Sequence, residues 1–308
     1  MVMKVSNATK PKKLMTQSKR DHISAYLYIS PFFLLFGVFG VFPILFTAYI
    51  SFHKWNILGT KEFVGFTNYQ WLLTDPLFWK ALGNTMSIWL MSTIPQLALA
   101  LVLAFVLNQA LLKGRHFFRL AVFLPNITSV VAVAIVFDSI YGQHYGIINY
   151  LLSLVGVDPI NWKASILGTH IAISSMVLWR WVGYNSIIYL AALQSIPKDL
   201  YEAATIDGAS KRQQFLFITI PMIRPMIIFT VILSTIGGMQ IFAEPQTFSG
   251  MGGGAMNQGL TLTLYLYEEA FIRNSFGYAS AIAWLLFLII VLFSLLNLFV
   301  TRKIKSAD

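Results

Sequence analysis

Apolar residues in this chain come in long unbroken runs rather than in the alternating or three-to-four spacing of half-buried strands and helices. Between charged positions, six stretches reach or approach the ~20 residues that cross a bilayer's hydrocarbon. They cover residues 23–52, 81–112, 120–137, 164–197, 215–243 and 274–301. Lipid offers the backbone no hydrogen-bonding partner, so each run predicts a helix. The first run has no Asp, Glu, Lys or Arg over 30 residues, far more than the ~7–15-residue core of a signal peptide. No small-residue cleavage site precedes His53, so the run reads as a retained membrane helix. The pattern predicts an all-α, polytopic membrane protein with six transmembrane helices. A basic segment 1–22 comes first. The first helix and an extracytoplasmic loop follow (23–80), then a core (81–301) and a tail (302–308). The loop 53–80 carries Trp55, Phe63, Phe66, Tyr69, Trp71 and Trp79 and reads as lying on the membrane surface. Loops 138–163 and 244–273 complete that side, the latter with a flexible turn at Gly252, Gly253 and Gly254.

Composition agrees. Of 308 residues, 57% are hydrophobic and 11% charged, where soluble domains carry roughly 25% charged residues. Basic residues then set the orientation. With the N-terminus in the cytoplasm, the cytoplasmic segments hold sixteen Lys and Arg against five outside, and Arg180 lies within the membrane. By the positive-inside rule both termini are cytoplasmic. The net charge of +10 is thereby a matter of topology, not of nucleic acid. There is no cysteine, which excludes disulfides and thiolate sites. The glycine run lacks a following Lys and Ser/Thr, so it is no phosphate loop. Nothing supplies a cofactor site on this chain. The five histidines have no metal-ligand spacing and read as loop or interfacial residues. Glu268 and Glu269 are adjacent, so their side chains diverge and they are no catalytic pair.

One connecting segment, 195–214, has helix signals of its own. Pro197 suits a first helical turn, Asp199 complements the positive end of the dipole, and Gly208 can take the left-handed conformation that ends a helix. The surface between them is small-faced, with Ala203, Ala204, Gly208 and Ala209, and is flanked by Glu202 and Asp207. On the residues alone, an ordinary amphipathic loop helix and a docking knob both stand.

Glu202-Ala203-Ala204, three residues, Gly208, nine residues and Ile218-Thr219-Ile220-Pro221 resemble the EAA loop of ABC-transporter permeases. Ile220 replaces the usual Leu. The flanks Leu190–Pro197, Gly146–Asn149 and Gly277–Ala281 look like the carbohydrate-importer, MalF-like branch, whose members share the MetI-like fold. The resemblance runs from about residue 20 to the C-terminus. It implies that the 195–214 helix couples to a cytoplasmic ATPase dimer, that a second homologous permease completes the path, and that an extracytoplasmic solute-binding protein delivers sugar. ATP would be hydrolysed on a separate chain.

A sugar path needs polar and aromatic groups at mid-depth. Candidates are Arg180, Trp181 and Tyr184 on the fourth run and Ser234, Gly238 and Gln240 on the fifth. The resemblance implies that Trp181, Tyr184, Ser234 and Gly238 match the sugar-contact region of MalF-like permeases, without the Asn-rich stretch of some relatives. The run from Ser234 to Phe242 looks like importers of β-linked oligosaccharides. An ionisable residue in a span faces a cavity or a partner. For Arg180 the structural alternative is a pair with Asp138, Glu244 or a carboxylate of the second permease. For Gly238 it is close helix packing. Two rival functions remain: a permease for an amino acid or phosphate, and a membrane-embedded enzyme, for which no acidic or histidine cluster is present.

Overall fold

A computed structural model describes residues 14–56, 59–108 and 114–305. The basic residues before Leu14, Lys113, the end of the second run at Leu112 and the tail 306–308 lie outside the described residues, as do the side chains of Lys19, Arg20, Arg115, Arg302, Lys303 and Lys305.

The chain divides into two units at Ile50 and Ser51. In the first, α1 (Leu14–Phe36) continues into α2 (Phe42–Ser51) through a π-helical turn at Gly37–Val41. Residue 43 is proline, which cannot donate to residue 39 and whose ring crowds that carbonyl. The wider turn lets the helix continue past it. Residues Ser24–Ser51 are long and apolar enough to cross a membrane, and none of their most apolar window is buried in protein.

The second unit opens with a two-residue antiparallel ribbon of β1 (His53–Lys54) and β2 (Glu62–Phe63). Next come α3 (Thr67–Thr74) and the long α4 (Pro76–Leu107). Asp75 caps α4 by accepting the Leu77 N–H at 2.9 Å, and Pro76 fills the first turn, where a missing donor costs nothing. Then follow α5 (Arg115–Ile127), α6 (Val130–Ile140), α7 (Ile147–Ser153) and α8 (Ile166–Gln194). The expected third span is not one straight helix, since α5 and α6 meet at 95°. Thr128 and Ser129 take extended ψ values of 144° and 127° there, which ends one helix and starts the next. The remaining helices are α9 (Lys198–Ile206), α10 (Lys211–Gln214), α11 (Ile220–Met239), α12 (Ala243–Ser249), α13 (Leu262–Tyr267) and α14 (Phe276–Lys305).

Four of the described helices are long and apolar enough to cross a membrane, and the bent α5–α6 pair raises this to five. The expected count of six also includes α8. At 29 residues it is about 43 Å long at 1.5 Å per residue. Its polar residues keep it out of that group because protein, not lipid, is its solvent: His170, Ser174, Asn185 and Ser186 are all buried. Gly183 permits the closest approach in this region, since a Cβ there would meet the Val122 carbonyl oxygen of α5 at 1.8 Å. His170, expected in a loop or at an interface, is inside α8. It contacts Ser87 Oγ at 2.9 Å and the Gln258 carbonyl at 3.0 Å.

One end of this unit holds a core of Ala104, Leu107, Leu190, Leu193, Ile196 and Ile223. At the other, the expected loop 244–273 is largely packed, and its glycine turn is not flexible. Phe248, Leu260, Leu262 and Tyr265 are core residues. The glycines are tied in place: Gly252 N–H donates to the Glu268 carboxylate, and a Cβ at Gly253 would collide with Leu260 N at 2.0 Å. The loop 53–80 is likewise partly interior, with Leu72 and Phe78 fully buried while Trp71 and Trp79 stay exposed. Asp75 is the knot of this end. It accepts from Tyr265 Oη at 2.5 Å and Tyr278 Oη at 2.7 Å. Burial pushes its pKa up, but hydrogen bonds from the two tyrosines and from Leu77 outweigh burial and hold it below the usual carboxylate value. Glu269 is pushed up by burial, against the opposing Arg273 charge. Glu268 and Glu269 do point apart, to Gly252 and to Arg273.

Candidate functional site

The segment with its own helix signals forms α9, and none of its residues is buried. Pro197 sits one position before the helix, at ψ 133°, rather than within its first turn. Gly208 ends the helix at φ +81° with open space around it. The Ala209 N–H returns to the Ala204 carbonyl at 2.8 Å, closing the left-handed cap that favours glycine. Glu202, Ala203, Asp207 and Gly208 are exposed, and Ala204 and Ala209 are half-buried. Ile206 is 87% exposed, an apolar side chain displayed on a short polar helix. The base is fixed. Tyr201 Oη meets Thr219 Oγ1 at 2.8 Å, and Gln214 Nε2 donates to Thr205 Oγ1 at 2.9 Å. Ser210 and Gln213 form a capping box that starts α10. The chain then passes through a π-helical turn at Phe215–Thr219, closed by the Ile220 N–H to the Phe215 carbonyl. Like the turn in the first unit, it lies ahead of a proline, here Pro221, and for the same reason. The peg is therefore joined, through the short non-helical link 207–210, to a helix that continues unbroken from α10 into α11.

Further into the unit, α4, α8 and α11 enclose a cavity of about 290 Å³. Trp181, Tyr184 and Ser234, named from the sequence, line it together with Gly238. Trp181 and Tyr184 form an edge-to-face pair, with centroids 5.6 Å apart. Gly238 is chiefly a packing position: a Cβ there would meet Trp89 Cδ1 at 2.4 Å. Its neighbour Gly237 lines the cavity with nothing within 4 Å of a Cβ. Two of the named residues are elsewhere. Gln240 lies in a separate groove between α11 and α14. Arg180 Nη1 donates to Glu244 Oε1 at 2.5 Å, which realises the structural alternative, while Asp138 pairs with Lys163 instead. The α4 wall, with Thr93 and Gln96, was missed. The sequence signal was present as polar residues inside an apolar run, beside Pro95.

The family model described as the binding-protein-dependent transport system inner membrane component matches residues 78–306. The chain belongs to this family. The permease is 37% identical to the lactose transport system permease protein LacF of Rhizobium radiobacter, over 92% of this chain and 95% of that protein. It is 37% identical to the arabinooligosaccharides transport system permease protein AraP of Bacillus subtilis (strain 168), over 91% and 89%. To the trehalose/maltose transport system permease protein MalF of Thermococcus litoralis it is 34% identical, over 92% and 95%. In fold the permease is similar to a chain of the bacterial alginate ABC transporter solved with an alginate pentasaccharide-bound periplasmic protein. The TM-score is 0.79 at 24% identity, covering 95% of this chain and 98% of that one. The permease is a multi-pass membrane protein and a transport subunit rather than an enzyme. Its family takes its name from systems that work with a binding protein.

Proposed function

We propose that this permease forms half of the membrane path of an ATP-driven importer of di- or oligosaccharides. The cavity carries the reading: it is lined by the aromatic rings of Trp181 and Tyr184 and by the amides and hydroxyl of Gln96, Asn185 and Ser234, the combination that stacks on a sugar ring and bonds its hydroxyls. Relatives that match this chain almost end to end are named for lactose, arabinooligosaccharides and trehalose/maltose. A second, homologous permease supplies the facing half of the path. An ATPase dimer receives α9, with Glu202, Ala203, Ala204, Asp207, Gly208 and Ala209 at the contact, and ATP stays on that chain. A solute-binding protein docks at the opposite, extracytoplasmic end. Both termini are cytoplasmic, and α8 is the sixth span. ATP shifts the membrane helices only as far as the ATPase contacts α9 differently in the two arrangements.

The test is ATP-dependent uptake of radiolabelled di- and trisaccharides by membranes holding the whole system. Saturable sugar uptake is expected, and Trp181→Ala raises the half-saturating concentration about tenfold. Saturable uptake of an amino acid or phosphate, with none of any sugar, would overturn the reading.

A further inference from the structure

We infer that this cavity selects an uncharged, hydroxyl-rich segment of its ligand, and that Gln96 on α4 is the residue that enforces the choice. The inference rests on the sugar reading above and narrows it to neutral saccharides, excluding uronates and other anionic sugars.

Three observations carry it. First, none of the described residues lining the cavity is Asp, Glu, Lys, Arg or His. A carboxylate placed there would lose its water and gain no counter-charge from this chain's half of the path, a costly way to bury a charged group. Second, the nearest cation on the same helix is withheld. Arg180 directly precedes Trp181 in the chain, yet its guanidinium is held by Glu244 at 2.5 Å, with the two side chains only 14% and 7% exposed. The pair is neutral as a unit, and taking away one member would strand the other. Third, Gln96 is buried in the protein and still lines the cavity. Its Nε2 lies 3.5 Å from Ser234 Oγ, at the outer limit of a hydrogen bond. An amide offers two donors and an acceptor, which a sugar hydroxyl can engage from either side. A hydroxyl entering between Gln96 and Ser234 replaces one long contact with two good ones. It also bridges α4 to α11, which runs in continuous helix from α10 at the base of the coupling peg. A carboxylate there could accept from the amide but would find no cation on this chain's lining to compensate its charge.

The experiment uses the assembled transporter without its binding protein, so that the permease's own preference is read. Saturation-transfer NMR in lipid nanodiscs compares trisaccharides of glucose and galactose with the matching triuronates, which differ only at C6 (hydroxymethyl or carboxylate). The wild-type protein is expected to give signal with at least one neutral trisaccharide and none with its uronate partner. Gln96→Leu weakens the neutral ligand about tenfold, and Gln96→Arg moves the preference at least tenfold toward the uronate, a reversal that a merely structural glutamine would not produce. Equal binding of neutral and uronate ligands by the wild type overturns the inference and leaves the sugar reading intact. So does an unchanged preference in Gln96→Arg protein that assembles and hydrolyses ATP normally. Binding of neither class overturns both. Should a Gln96 variant fail to assemble, the wild-type comparison still decides.

Discussion

At one end of the second unit, a nine-residue helix with no buried side chain is held at its base by Tyr201 and Gln214 and displays Ile206 to its surroundings. At the other, residues 243–273 bury Phe248, Leu260 and three glutamates, and Asp75 ties α4, α13 and α14 together. The first end is open and the second is packed. The lesson is that exposure and polar satisfaction separate a projecting element from a wall even where both are short, interrupted helix. In α9 the surface groups stay exposed, whereas around Asp75 and Glu268 the polar groups are used internally. The cavity lies between the two ends, and the continuous helix from Ser210 through α11 links the peg to its wall.

The largest expected effect comes from altering the peg. Glu202→Lys and Gly208→Val are expected to lower ATP-driven uptake more than tenfold. The first leaves stability within ~0.5 kcal/mol as an exposed substitution, and the second costs ~1–2 kcal/mol because of its left-handed backbone. Uptake and the thermal midpoint, measured on the same membranes, separate coupling from folding. The mirror result is expected at the other end. Asp75→Ala strands the hydroxyls of Tyr265 and Tyr278 and removes the α4 cap, costing about 2–4 kcal/mol, seen as a lower midpoint for thermal aggregation in detergent. If Asp75→Ala left stability unchanged while Glu202→Lys unfolded the protein, the contrast between the ends would be reversed.

Between the ends, two adjacent glycines sharpen the division. Gly238→Ala pushes on Trp89 and is expected to cost about 1–3 kcal/mol. Gly237→Leu enters open cavity, keeps the fold and raises the half-saturating sugar concentration severalfold. Dose–response uptake together with thermal midpoints of the two variants checks both.

The smallest effect is the pH dependence of the closed end. Asp75 titrates below its ordinary value of 3.8, so its stabilisation is complete above that value and is lost as pH falls through the lower folded one. Glu269 titrates above its ordinary 4.5. Its stability contribution is complete below 4.5 and is lost as pH rises through the raised folded value. Glu269→Gln is therefore expected to stabilise the protein at neutral pH, with the gain vanishing toward pH 4.5. Thermal midpoints from pH 4 to 8 for both proteins test the sign.

Much of this was legible from residue patterns. The runs at 164–197 and 274–301 became Ile166–Gln194 and Phe276–Lys305, because long apolar or interior helices carry their signal along the whole segment. The peg was legible because Pro197, Asp199 and Gly208 are local signals acting within three turns. The bend between α5 and α6 was not, since Thr128 and Ser129 are unremarkable in a run that hydropathy reads as continuous. Residues 243–273 misled for a related reason: Gly252 and Gly253 look flexible in one dimension and are fixed only by Glu268 and Leu260, which fold back on them. Of the site, the walls on α8 and α11 were found. Gln96 was not, because its importance depends on α4 lying opposite Ser234, 138 positions away.

The central claim is that α9 is the contact through which an ATPase moves this permease. Because the chain contains no cysteine, a single thiol at Ile206→Cys can be cross-linked in native membranes with a short bismaleimide. The account predicts a product joining the permease to the ATPase subunit, with a yield that changes when ATP is added, and no such product from Met256→Cys at the opposite end. A cross-link to the ATPase from Met256→Cys, with none from Ile206→Cys, would contradict it.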